Sequence, residues 1–491
     1  MKTLLCSDKY QYTMGHTFVE KGMAQKTAIF NMFFRKAPDN NGFAVVAGIS
    51  EVLQMVEEMG KYPKEHYKKF LKEEHYDEYC ELLANTTFTG NIYAMREGEI
   101  AWPNQPIITV EAPLLEGQIL ETPILAIMNH AMAIATKASR VVRSTKKPVS
   151  EFGSRRAHGI WAATYGAKAA YIAGCANSSN VLATIDLGIP STGTMAHSYV
   201  TAFGVGPTAE YNAFTSYIET HRGEPLILLI DTYDTTRCGL KNAIKAFKKM
   251  GIDNDYKPSF GVRLDSGDLT YLSRKCRKEL DKAGFTNAVI IATNGLDEYL
   301  IPELEREGAM IDMYGVGDAI ATSKHNPCFG GVYKLVMIDD EPVIKLSEDR
   351  IKVTNPGKLI TFRITDKEDG NALADITCLY GDTTFIALQH GYELTTYAED
   401  DKTKRTTFKR DSYDIYALQT TVMLNGEVVK YELPSIEASR TYHVTRKALF
   451  DPSQLRLVNP HLYKNNISDQ LYNLKSSMIY KIKDAIEEME E

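Results

Sequence analysis

The sequence predicts an α/β fold, an irregular parallel (β/α) barrel occupying the middle of the chain. Three observations predict it. Between residues 148 and 355, about eight apolar strand-like runs occur, helical runs separate several of them, and polar clusters follow most of them. Such alternation is what parallel strands joined by covering helices leave in a sequence. The rival is an open doubly wound sheet. That fold would normally show a Gly-x-Gly-x-x-Gly turn after its first strand, and Phe152-Gly153-Ser154-Arg155-Arg156 is not one.

Taken in order, residues 1–147 mix helix and strand signals: an amphipathic helix over Ser50–Gly60, then short strands within Thr87–Ile108 broken by Gly90, Gly98 and Pro103. The barrel strands are expected at Val149–Phe152, Val181–Ile185, Gly193–His197, Leu226–Asp231, Phe260–Asp265, Val289–Thr293, Ile311–Val316 and Gly331–Ile338. Leu240, Ala243, Ile244 and Phe247 repeat at helical spacing and Gly251 stops the run. Leu272, Cys276, Leu280 and Ala283 do the same before Gly284. Beyond residue 355 the alternation ends. Strands are expected at Leu359–Ile364, Ile376–Leu379, Phe385–Leu388 and on either side of the turn Asn425-Gly426, followed by a charged helix over Ser477–Glu491. Leu335–Ile338 with Asp339-Asp340 mimics the apolar-run-plus-two-acids fingerprint of Rossmann-like phosphoribosyltransferases, but it lacks the Thr-Gly turn and reads as a hairpin.

Composition narrows the function. A chain of 491 residues exceeds one hydrophobic core, and 44% hydrophobic with 24% charged residues is the balance of a folded protein. Boundaries are set at 1–147, 148–355 and 356–491. A formal net charge of −7 leaves no broad basic field for nucleic acid or anionic lipid, and no apolar run spans a bilayer. The apolar stretch before Cys6 is too short for an export signal, and the seven scattered cysteines include no Cys-x-x-Cys pair. These features point to the cytoplasm.

The polar clusters carry the chemistry, because strand C-terminal ends of a barrel converge on one mouth. The glycines of Gly315-Val316-Gly317, with Asp318 following, and of Gly330-Gly331 would let backbone N–H groups approach phosphate oxygens. Asp231 and Asp265 suit a sugar hydroxyl or a hydrated Mg²⁺ bridging phosphates. Arg155 and Arg263 offer planar forks for a carboxylate or phosphate. A phosphorylated sugar with an anionic co-substrate would satisfy all of these together.

Several motifs in order resemble the nicotinate phosphoribosyltransferases, the type II phosphoribosyltransferases. They are Asp8-x-Tyr10-Gln11-x-Thr13-Met14, Glu151-Phe152-Gly153-x-Arg155-Arg156, Gly193-Thr194-x-Ala196-His197-Ser198, Gly261-Val262-Arg263-Leu264-Asp265-Ser266-Gly267-Asp268, Lys345-Leu346-Ser347 with Lys352-Val353-Thr354-Asn355-Pro356-Gly357, and Asn459-Pro460-His461-x-Tyr463. The resemblance implies a barrel joined to an α/β domain built from both chain ends, and a homodimer with shared active sites. It implies that nicotinate and 5-phosphoribosyl 1-pyrophosphate give nicotinate mononucleotide and pyrophosphate, the first step of NAD synthesis from nicotinate. ATP would be hydrolysed alongside, with Mg²⁺, through a phosphohistidine at His197. Tyr10 from the neighbouring subunit and Phe152 would sandwich the pyridine ring. Thr194 and Arg263 would contact nicotinate, Arg155 its carboxylate or a nearby phosphate, and Thr354 the phosphoribosyl donor.

Plainer readings stand beside these. Asp265 could cap the helix starting near Leu269, Phe152 could be core, Tyr10 could merely anchor the chain, and His158 reads as structural. A nicotinamide-using relative is the nearest alternative; Asn180 aligns where that branch carries an Asp, and an Asp there would repel a carboxylate. A barrel hydrolase or lyase using His197 with Asp231 is the alternative from another class.

Overall fold

The computed structural model describes residues 3–347, 352–399, 401–430 and 433–489. The chain forms two compact units: Lys137–Pro327 is one, and Met1–Thr136 with Cys328–Glu491 is the other.

In the unit Lys137–Pro327, six short parallel strands build one sheet: β1 (Val149–Glu151), β2 (Asn177–Ser178), β3 (Leu226–Leu229), β4 (Phe260–Leu264), β5 (Val289–Thr293) and β6 (Met313–Val316). Their order is β2-β1-β6-β5-β4-β3. Each strand except one lies beside its successor in the chain, and the last, β6, pairs with the first, β1. The β2–β3 neighbour pair is what a closed ring would add to the pairing found among the described residues. β3 to β6 are mostly apolar, as sheets covered on both faces require, and Leu226–Leu229 is buried throughout. Helices follow them: Leu240–Lys249 buries Leu240, Ala243 and Phe247, and Leu269–Lys282 buries Leu269, Cys276 and Leu280.

Three of the eight expected strands are corrected. Val181–Ile185 lies in a helix, Val181–Leu187, opened by the Asn180 side chain and closed by Gly188 at φ 69°. The periodicity of such a short apolar run does not separate strand from buried helix. Residues 193–196 have no regular structure, and His197 is the first residue of the helix His197–Ala202. Gly331–Ile338 is a strand of the other unit, antiparallel to Thr27–Phe34 with Phe30 stacked on Tyr333 at 5.0 Å.

The other unit therefore joins both chain ends with residues 328–347. The divisions fall at 136/137 and 327/328, where the sequence reading set 147/148 and 355/356. Its seven-stranded antiparallel sheet runs Glu341–Pro342, Gly331–Ile338, Thr27–Phe34, Ile108–Pro113, Asn91–Met95, Gln419–Leu424, Glu427–Val428. Asp339 and Asp340, both at positive φ, make the turn of the expected hairpin, and Asn425-Gly426 turns the last one. A second, six-stranded sheet contains Leu359–Asp366 and Ala372–Leu379. Phe385–Leu388, expected as a strand, belongs to the helix Thr383–Gln389, because Asp382 accepts a cap bond from Phe385 N–H at 2.7 Å. The terminal helix begins earlier than expected, at Asp469, and runs to Glu487; the final two residues lie outside the described ones. No helix among the described residues is long and apolar enough to cross a membrane.

Candidate active site

A cavity of about 330 Å³ opens at the C-terminal ends of the parallel strands. Phe152, Ser154 and Arg155 reach it from the turn after β1, Thr194 from the irregular segment 193–196, and Arg263 with Asp265 from the end of β4. Thr293 and Asn294 follow from β5, and Gly315, Gly317 and Asp318 from β6. Parallel strands all point their C-terminal ends the same way, which is why residues up to 166 positions apart (152 to 318) meet here.

Phe152 donates its N–H to Val316 O at 2.8 Å, and its ring lies across Gly315. A Cβ at position 315 would come within 2.7 Å of the Phe152 ring, so the glycine makes room for the ring. Gly315 thus makes room for the Phe152 ring, and it lines the cavity together with Gly317 and Asp318.

His197 lies against two acids. Its Nε2 is 3.8 Å from Asp231 Oδ1 and 3.9 Å from Asp265 Oδ2, and its Nδ1 is 3.1 Å from Thr232 Oγ1. The imidazole is 44% exposed whereas the Asp231 side chain is 2% exposed. Asp231 Oδ2 accepts from the Asp265 N–H at 3.0 Å and from Ser266 Oγ–H at 2.6 Å; Oδ1 is buried with no hydrogen-bond partner. A buried carboxylate oxygen left open beside a histidine is costly as structure and useful as chemistry.

Asp265 is not the helix cap. Asp268 takes that place, accepting from Tyr271 N–H at 2.9 Å, which frees Asp265 to face the cavity. Thr293 Oγ1 donates to Asp265 Oδ1, and Asn294 Nδ2 donates to its backbone carbonyl at 3.0 Å. Arg263 donates through Nη1 to Thr194 Oγ1, sits with Nη2 3.7 Å from Asp265 Oδ1, and keeps a buried Nε without a partner. Burial lowers the Arg263 pKa from its usual value, and Arg155 adds to this; Asp265 and Asp231 oppose it. A buried guanidinium with an unused N–H can take a further anion.

Two residues escaped the sequence reading of roles. Glu151, buried, accepts from Gly153 N–H and from Ser178 Oγ–H at 2.6 Å, tying the turn after β1 to the end of β2. Burial raises its carboxyl pKa, with those two bonds opposing. Its place in the Glu-Phe-Gly motif was the available signal. Thr293 offered only a polar residue at a strand end. Asn180 is committed elsewhere: Oδ1 accepts from Ala183 N–H at 2.9 Å and Nδ2 donates to Ser154 Oγ at 3.1 Å.

Tyr10, Thr354, Gly330 and Gly331 belong to the other unit. Tyr10 is exposed on the helix Lys9–Glu20, and Thr354 is buried with Oγ1 accepting from Lys345 N–H at 3.3 Å. Gly330 is exposed, whereas Gly331 N–H donates to Asn129 Oδ1 at 3.1 Å.

An α/β protein is thereby defined, with a polar cavity at its parallel strand ends where Arg263 faces Asp265, and with a histidine beside Asp265 and Asp231. Comparison with known proteins places it further. Residues 5–129 match the nicotinate phosphoribosyltransferase (NAPRTase) N-terminal domain and residues 360–475 the nicotinate phosphoribosyltransferase C-terminal domain. The chain is 37% identical over 491 residues to a nicotinate phosphoribosyltransferase of Bacillus subtilis (strain 168), covering 99% of this chain and 96% of that one. It is 32% identical over 529 residues to one from Dictyostelium discoideum, covering 96% and 87%. The crystal structure of human nicotinic acid phosphoribosyltransferase superposes with a TM-score of 0.82 at 26% identity, covering 96% and 99%. The chain belongs to the nicotinate phosphoribosyltransferase family.

Proposed function

We propose that this protein transfers the phosphoribosyl group of 5-phosphoribosyl 1-pyrophosphate to the ring nitrogen of nicotinate. Nicotinate mononucleotide and pyrophosphate are the products, and ATP is hydrolysed alongside through phosphorylation of His197. The observation that carries the reading is one rim on which an aromatic wall, Phe152, stands with the guanidinium groups of Arg155 and Arg263 and with Asp265. A flat, anionic pyridine matches a ring face with a cationic end. Arg263 and Thr194 bind its carboxylate side, leaving the ring nitrogen to attack the sugar carbon as the carbon–pyrophosphate bond breaks.

His197 accepts a phosphoryl group at a neutral ring nitrogen, and Asp231 and Asp265 stabilise the positive charge the ring then carries. ATP supplies that phosphoryl group, and water receives it afterwards. Asp231 and Asp265 are also the residues that would hold Mg²⁺; the open Asp231 Oδ1 fits a cation or its bound water. Among the described residues no group of three or more His, Cys, Asp or Glu is arranged for a metal, so phosphate oxygens and water would complete its shell. The active unit in this reading is a dimer in which Tyr10 of the partner subunit covers the second ring face. The exposed Tyr10 and the exposed apolar side chains Ile160, Trp161, Val181 and Ile185 support it. Seven scattered cysteines with no Cys-x-x-Cys pair suit a cytoplasmic setting.

Two alternatives are separated by one assay. Nicotinate or nicotinamide is incubated with the phosphoribosyl donor, with and without ATP, and the products are identified. Nicotinate mononucleotide and donor-dependent pyrophosphate are expected. Nicotinamide mononucleotide instead would select the nicotinamide-using relative, and turnover without the donor would select a hydrolase or lyase. ATP should label the protein in an acid-labile, base-stable form that His197→Ala abolishes; a label surviving that substitution overturns the phosphohistidine.

A further inference from the structure

Thr293 ends β5 and is nearly buried, at 5% exposure. It lines the cavity just described and, together with Asp265 and Asn294, also a neighbouring cavity of about 360 Å³ that Glu303 and Leu304 bound on the far side. These three residues are therefore the partition between the two spaces.

The two ends of the Thr293 side chain meet different halves of the site. Its Oγ1 donates to Asp265 Oδ1; Leu264 O is also in reach at 3.4 Å, but a hydroxyl has one proton and the closer carboxylate takes it. Its methyl faces the other way. Thr293 is the cross-strand partner of Gly315, and a Cβ built on Gly315 would lie 2.7 Å from Thr293 Cγ2 and 2.7 Å from Phe152 Cδ2. Methyl and ring edge close over the same point, so the methyl limits how deep the ring can sink.

We propose that Thr293 is a positioning residue, its hydroxyl orienting Asp265 on the phosphoribosyl side and its methyl backing the Phe152 ring on the pyridine side. The inference rests on the functional reading above. A β-branched side chain with few allowed rotamers suits such a double task, since the χ1 that aims the hydroxyl also fixes where the methyl lies.

Two near-isosteric substitutions separate the two ends. Thr293→Val keeps the methyl and removes the proton donor; kcat should fall, and the KM for the phosphoribosyl donor should rise, by about 10-fold or more, the worth of a hydrogen bond to a charged group. Its KM for nicotinate should stay that of the wild type. Thr293→Ser keeps the donor and removes the methyl; the nicotinate KM should rise about 4-fold, the worth of one buried methylene, with the donor KM unchanged. Gly315→Ala, which crowds the ring from beneath, should share the nicotinate-specific signature. Thermal unfolding of each variant shows whether it folds. Parallel shifts in both substrates for both Thr293 variants, or no shift in either, overturn the proposal. A wild-type protein that forms no nicotinate mononucleotide overturns the underlying reading instead.

Discussion

Two sites of buried charge, one in each unit, are held in opposite ways. In the unit joining the chain ends, Arg363 is fully buried and every arm is matched: Nε to Asp375 Oδ1 at 2.7 Å, Nη2 to Asp375 Oδ2 at 2.8 Å and to Ile100 O at 2.7 Å, Nη1 to Glu99 Oε1 at 2.7 Å. Tyr463 and Gln105 donate to the remaining positions of Asp375, each at 2.8 Å, and Tyr442 donates to Glu99. In the unit Lys137–Pro327, Arg263 keeps a bare Nε and Asp231 a bare Oδ1. The same residue types serve architecture where every lone pair and N–H is used, and chemistry where some are left open.

Breaking the matched cluster should cost the most. Arg363→Ala leaves Asp375 buried without its cation and Glu99 with only Arg446, 3.7 Å away, and the unfolding free energy should drop by about 3–5 kcal/mol, read from denaturant titration. Activity should survive at temperatures where the variant stays folded, because Arg363 is not a residue of the cavity. Arg263→Ala should do the reverse. The stability change should be small, and the nicotinate requirement should rise roughly 10- to 150-fold, the loss of about 1.5–3 kcal/mol for a charge-assisted bond, with a much smaller effect on the phosphoribosyl donor. Equal weakening of both substrates would assign Arg263 to the pyrophosphate.

The smallest effect tests a group between these extremes. Glu151 has two bonds, but burial raises its pKa in the folded protein. The folded state then holds its proton to higher pH than the unfolded state does. Stability from this group is present at low pH and is lost as pH rises through the folded pKa. Glu151→Gln does not titrate, so its melting temperature relative to wild type should climb as pH is raised from acid to neutral. A difference that stays flat with pH would mean that Glu151 is accommodated as a carboxylate.

Much of the site was legible because its residues sit at strand ends and in short polar motifs. Strand β5 matches its expectation end to end, Phe260–Leu264 differs from its expectation by one residue, and the helix Leu240–Lys249 follows the i, i+3, i+4, i+7 pattern. Phe152, Arg155, Thr194, Arg263, Asp265, Gly317 and Asp318, named from motifs, line one cavity. Two of the errors share a cause: Val181–Leu187 and Thr383–Gln389 hold short apolar runs that periodicity alone does not assign to strand or helix, and each is a helix capped by a side chain, Asn180 and Asp382.

What the sequence determined by itself was local: periodicity sets which face of a segment is apolar, and a polar run after a strand marks where the chain must turn into solvent. Partnership was decided only by the tertiary structure. Gly331–Ile338 has the pattern of a strand wherever it goes, and its pairing with Thr27–Phe34, some three hundred residues earlier, brings contacts such as Tyr333 on Phe30 that no local window contains. The same holds for Asp265 and Asp268. Either could cap the helix by sequence; the backbone at residue 268, with φ −75° and ψ 98°, puts the cap there and leaves Asp265 free beside Thr293, Arg263 and His197.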